Sequence, residues 1–206
     1  CPDTGQKCAI SVALVFDASG GMAGAPNAAA KAAGKAFVDE MDGVLDEATV
    51  LWFTSLPNVQ LGMTTDRDAL RSAIDALPAN GASAIWDGCY VGLQELINSG
   101  SNPCRAVILL TDGYDGSSTH TPQDIIALAN RNRIRVYTVG VGAHVQPAQL
   151  ETLALLTGGR YYWAPQPENL TAIYNEISTI ITTGFLECLI TYQAKCMDGG
   201  VRTVEL

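Results

Sequence analysis

Short apolar runs recur along the chain, and each ends in glycine or in a cluster of polar residues. Residues 10–16, Ile-Ser-Val-Ala-Leu-Val-Phe, lead into Asp17, Ser19, Gly20 and Gly21. A largely unbroken run of this length reads as a strand buried on both faces, at the centre of a parallel sheet. Residues 48–54 (Ala-Thr-Val-Leu-Trp-Phe-Thr), 105–110 (Arg-Ala-Val-Ile-Leu-Leu) and 135–141 read the same way. Residues 58–63 alternate instead, and only Ser55, Leu56 and Pro57 stand between them and the preceding strand. That spacing predicts a hairpin, whose antiparallel second strand has the half-polar pattern of a sheet edge. A short strand over 160–163 completes the set.

Between the strands the apolar period becomes that of a helix. Ala29, Ala33, Ala36 and Phe37 mark one face of a helix over 26–41, and Leu70, Ala73, Ile74 and Leu77 one over 66–77. Further helices are predicted over 86–98, 121–131 and 147–156. Thr121-Pro122-Gln123-Asp124 is a well-formed start, with a Thr cap, a proline and then an acid. The last helix, 167–181, turns Leu170, Ile173, Tyr174, Ile177, Ile180 and Ile181 inward. This alternation predicts a doubly wound α/β sheet, six-stranded and mostly parallel, with one antiparallel edge strand and helices on both faces.

Length and composition narrow the picture. A chain of 206 residues suits one domain with a small appendage. Its 21 acidic and 12 basic residues give a net charge of −9, which argues against nucleic acid or an anionic membrane as partner. No apolar run reaches the roughly 18 residues of a membrane span. The chain opens on Cys1-Pro2-Asp3 without a signal peptide, and residues 201–206 alternate like a strand up to the last residue. The expectation is therefore a piece of a longer protein, with 185–206 forming a short β extension at the start of a further module. Six cysteines without a Cys-x-x-Cys pair, and only two histidines, argue against structural zinc. They favour disulfides and an exported protein. Cys188 and Cys196 flank a hairpin-like segment and could pair. Cys8 and Cys104 each precede an apolar strand, at the same edge of the sheet; Cys1 and Cys89 stay unassigned.

The chemistry gathers in three loops. Asp17 and Ser19 leave their strand at its carboxyl end, where open α/β sheets bind ligands. Oxygen-bearing side chains two residues apart suit a hard cation such as Mg²⁺ or Ca²⁺. Residues 82–87 and 111–113 supply the other loops. In these residues the chain resembles the von Willebrand factor type A (vWA) domain family. The resemblance runs over residues 9–183, through Asp17-Ala-Ser19-Gly-Gly21 and the small-residue turn before Ile85-Trp86-Asp87. It continues through Leu109-Leu-Thr-Asp-Gly113, Tyr137-Thr-Val-Gly-Val-Gly142 and Gly158-Gly-Arg-Tyr-Tyr162.

That resemblance implies a Rossmann-like vWA domain over 1–184 with strand order 3-2-1-4-5-6, its first and fourth strands meeting under a metal-ion-dependent adhesion site. The family pattern is Asp-x-Ser-x-Ser, then a Thr, then an Asp. Asp17 and Ser19 match its opening, Ser83 stands for the Thr with its hydroxyl kept, and Asp112 matches the last acid. Gly21 stands where the second Ser belongs. A water would fill that position, at a cost of about 1–2 kcal/mol, and Gly21→Ser is expected to tighten the site.

The function implied is a non-enzymatic adhesion module, secreted or at the cell surface. It would engage a protein or matrix ligand through a divalent cation (Mg²⁺ first, Ca²⁺ or Mn²⁺ otherwise), the ligand supplying an acidic residue to the metal. The alternative is a metal-independent assembly domain of a larger surface protein, which Gly21 favours. In that case Asp17 and Asp112 merely cap loop amides and Ser19 bonds its turn. A third class resembles the vWA subunits that accompany AAA+ ATPases, against which the cysteine count weighs.

Other chemistries fit less well. A hydrolase triad of Ser19, His120 and Asp112 lacks the Gly-x-Ser-x-Gly elbow. The glycines after Ser19 have the wrong spacing for a dinucleotide, and Asp17 would repel pyrophosphate. Asp87 and Asp115 read as helix-start and turn groups beside the site. Trp52, Trp86 and Trp163 read as core or rim packing, and His144 as a loop residue. Asn169-Leu170-Thr171 is a glycosylation sequon, meaningful in a eukaryotic secretory protein.

Overall fold

In the computed structural model, which describes residues 8–143 and 145–183, the first apolar run forms β1 (Ile10–Asp17), buried along its whole length. β2 (Glu47–Phe53) and β4 (Cys104–Thr111) pair with it on either side, both parallel. β3 (Pro57–Thr64) returns antiparallel to β2 and leaves half its residues to solvent, as its alternation predicts. β5 (Arg135–Val141) and β6 (Tyr161–Ala164) extend the parallel part. The order β3-β2-β1-β4-β5-β6 is the one that the resemblance implied.

Successive residues of β1 serve opposite faces, because side chains alternate across a strand. Val12, Leu14 and Phe16 pack under α1 (Ala25–Glu40), α2 (Arg67–Asp75) and α6 (Leu170–Thr183). Ala13 and Val15 pack under α3 (Ile85–Ser99), α4 (Pro122–Arg131) and α5 (Pro147–Leu156). Helices therefore cover both faces, and the inward residues expected for α2 and α6 are buried or partly buried. Thr121 and Asp124 form the capping box of α4.

The first helix differs in detail. Ala33 and Phe37 are buried as expected, joined by Ala30, Gly34 and Val38, while Ala29 and Ala36 are only partly buried. Gly34 is the reason: a Cβ there would lie 2.8 Å from the Phe16 ring. The helix docks on its glycine, which adds Gly34 and its neighbours to the buried face.

Cys8 and Cys104 form a disulfide beside the starts of β1 and β4, where the sheet edge brought them. Cys89 is a buried free thiol on α3, and burial pushes its pKa up to about 12. Among the described residues no helix is long and apolar enough to cross a membrane. The extension over 185–206, the Cys188–Cys196 pairing, Cys1 and His144 lie outside the described residues.

Candidate metal centre

The site is built on the pairing of β1 with β4. Phe16 stands beside Leu110, so the next residues, Asp17 and Thr111, emerge together at the carboxyl edge. Asp17 is only 2% exposed. Its Oδ1 accepts the Ser19 N–H at 2.8 Å. Its Oδ2 accepts the Thr111 hydroxyl at 2.6 Å and the Ser83 hydroxyl at 3.1 Å. One buried carboxylate thus ties all three loops together.

Ser83 reaches it because the segment after α2 is stitched onto the first loop. The Asn80 N–H donates to Ala18 O at 2.7 Å, and the Gly20 N–H to Gly81 O at 3.0 Å. Ala84 N–H donates to Thr54 O, also at 2.7 Å. Gly81 takes φ +102, a torsion that glycine enters freely. Ser19 is buried, with extended backbone, and its hydroxyl makes no capping bond to the 3₁₀ turn Gly20–Met22. Asp112, half-buried, follows Thr111 and lays its carboxylate against Gly21. A Cβ at Gly21 would collide with Asp112 Oδ2 and lie 3.0 Å from its Cγ.

Asp17, Ser19, Ser83 and Asp112 are thus gathered at one edge of the sheet, as the motif implies. Thr111, in the third of the three loops, joins them, although the family pattern gives it no role. Its signal was its place, one residue before Asp112 on the strand paired with that of Asp17. The donors are all oxygen, from carboxylates and neutral hydroxyls, which fits a hard cation that keeps some of its water. Among the described residues no group of three or more His, Cys, Asp or Glu is placed to hold a metal. Any metal here would therefore rely on hydroxyls as well as acids.

A second network holds the loop after Asp112. Asp115 Oδ1 accepts the Ile85 N–H at 2.7 Å and the Ser118 hydroxyl at 2.6 Å. Ser118 Oγ in turn accepts the N–H groups of Trp86 and Asp87. These residues cap α3 from across the loop, satisfying donors that a helix start leaves open. Asp87, buried at 8% exposure, accepts the backbone N–H groups of Thr119 and His120 and meets His120 Nδ1 at 2.6 Å. Burial alone would raise the Asp87 pKa; the bonds from Thr119 and His120 outweigh it and hold the carboxyl below its ordinary range. The His120 ring stacks on Tyr90, centroids 3.8 Å apart. His120 is thus engaged with Asp87, away from the imagined triad.

The remaining expectations divide by position. Trp86 is core, and Trp52 is partly buried with its indole N–H on Gln60. Trp163 is a rim residue, 56% exposed, held by its bond to Gly142 O. Asn169 is exposed just before α6 and accepts the Gln166 N–H.

The family model of the von Willebrand factor type A domain matches residues 11–176, and the chain belongs to that family. Such domains are generally non-enzymatic interaction modules. An uncharacterized protein of Synechocystis is 25% identical over 181 residues, covering 85% of this chain. The chain spans 42% of that relative's length. A von Willebrand factor type A structure from Catenulispora acidiphila superposes with TM-score 0.73 at 25% identity, covering 84% of this chain and 42% of its own. Proximal thread matrix protein 1 from the mussel byssus, with a zinc-occupied metal-ion-dependent adhesion site (MIDAS) motif, gives TM-score 0.71 at 21% identity. It covers 84% of this chain and 46% of its own, a likeness of fold.

Proposed function

We propose that this chain is a non-enzymatic adhesion module, secreted or at a cell surface, that engages a protein or matrix ligand through a divalent cation. Residues 1–184 are the binding domain in this reading, and 185–206 lead into a further module. Asp17, Ser19, Ser83 and Asp112 hold the cation, with Mg²⁺ preferred over Ca²⁺ or Mn²⁺. The observation that carries the reading is the buried Asp17 carboxylate, which takes donors from all three loops. A carboxylate fixed in this way is preorganised for an ion and needs little rearrangement to meet one. When bound, the ion supplies a positive centre to which an acidic side chain of the partner can bind.

Charge gives that ion a purpose. The chain carries a net charge of −9, and a bound cation would set a positive centre at this edge for an acidic partner to meet. The Cys8–Cys104 disulfide supports an oxidising, extracytoplasmic setting. A vWA structure that carries zinc at its MIDAS motif makes a metal at this edge chemically reasonable.

Thermal unfolding in Mg²⁺ and in EDTA tests this reading, because an ion bound only by the native state raises the melting temperature. Wild type is expected to gain stability from millimolar Mg²⁺, and Asp112→Ala to gain none. Equal melting of wild type in both solutions would turn the case against the metal. A second reading, a metal-independent assembly domain, is favoured by Gly21, which offers no side-chain oxygen.

A further inference from the structure

Position 21 is glycine for reasons of space, and torsion does not demand it. The described glycines with left-handed backbone are Gly24, Gly81, Gly142 and Gly158; Gly21 is not among them. Any L residue can adopt its backbone. What a side chain would have to displace is Asp112. The three heavy atoms nearest a Cβ at Gly21 all belong to the Asp112 carboxyl group: Oδ2 in collision, Cγ at 3.0 Å and Oδ1 at 3.2 Å. Gly20 is the opposite case, since a Cβ there would meet only Gly81 O, at an ordinary 3.7 Å.

We propose that Asp112 takes the coordination place that a hydroxyl at position 21 holds in the Asp-x-Ser-x-Ser pattern, so that Gly21 admits a second direct carboxylate to the ion. The inference rests on the metal-binding reading above. The lost serine is then an exchange of ligands, a neutral oxygen for a charged one. Affinity for hard cations rises with the charge of the ligand set. The ion is held more firmly by its own protein, and it presents less net positive charge to an acidic partner. The sign of one substitution follows and is the reverse of the simple expectation. Gly21→Ser brings a hydroxyl but evicts a carboxylate, so it weakens the site.

Calorimetric titration of Mn²⁺ into the metal-stripped chain tests this, with circular dichroism confirming that each variant is folded. Gly21→Ala is expected to weaken binding by roughly tenfold or more, Gly21→Ser to stay weaker than wild type, and Gly20→Ala to match wild type. Gly21→Ser binding more tightly than wild type, or Gly21→Ala binding as wild type does, overturns the inference and leaves the metal-binding reading standing. Absence of Mn²⁺ binding by wild type overturns both. A wild-type crystal grown with Mn²⁺ reads the point without any variant: an Asp112 oxygen bonded directly to the ion supports the exchange, and one bridged by water refutes it.

Discussion

At the scale of single residues the site depends on how Asp17 is held. Its carboxylate is almost wholly buried, so each donor lost leaves an acceptor unpaired where water barely reaches. Thr111→Val removes the shortest of these bonds while keeping the shape of the side chain. It should weaken cation binding by roughly 10–100-fold, measured by calorimetry, whereas Thr111→Ser should recover most of the loss. A Thr111→Val protein with wild-type affinity would show that Asp17 needs no such support. That Asp17, Ser19, Ser83 and Asp112 come together at one edge was legible through the family resemblance. Thr111 was not, since its role exists only in the register that sets Phe16 beside Leu110. Gly21 was legible as a missing oxygen but not as space, because only the folded chain puts Asp112 there.

At the scale of elements, the loop between β4 and α4 is clamped onto the start of α3, the helix that follows Ser83. Asp87 is the group through which pH acts on that clamp. Its folded pKa lies below the ordinary aspartate range, so its stabilisation is complete above the unfolded value of about 3.9 and is lost as pH falls through the folded value. Hydrogen exchange should show Thr119 and His120 amides losing protection on acidification through that window, with Asp87→Asn losing it already at neutral pH. Protection that does not change between neutral pH and pH 3 would remove Asp87 from this role. Helix starts and inward faces were largely readable from local pattern, Thr121 and Asp124 most clearly. The bonds of Asp87, Asp115 and Ser118 were not, because each joins elements about 30 residues apart. Ala33 and Phe37 of α1 were legible, but Gly34 was not: it has no side chain to count in a period, yet it packs directly against Phe16.

At the scale of the whole molecule, the sheet carries β1 at its centre and opens the site where β1 and β4 end. The disulfide fastens the same two strands at their other ends, closing a span of 96 residues. Cys8→Ala with Cys104→Ala should lower the unfolding free energy by about 2–4 kcal/mol in guanidinium titration and leave cation affinity unchanged. A fall in cation affinity would mean that the bond also sets the site. The fold class and strand order were legible from the apolar runs and their family likeness, because buried parallel strands leave a strong pattern. Pairing of the cysteines was not, since connectivity depends on which strand starts become neighbours. The central claim, that this edge binds a divalent cation through Asp17, Ser19, Ser83 and Asp112, is tested most directly by isothermal titration of Mg²⁺, Ca²⁺ and Mn²⁺ into the metal-stripped protein. Saturable one-site binding that Asp17→Ala and Asp112→Ala both abolish is the predicted result. No heat of binding at millimolar cation, or binding that both variants retain, would contradict it.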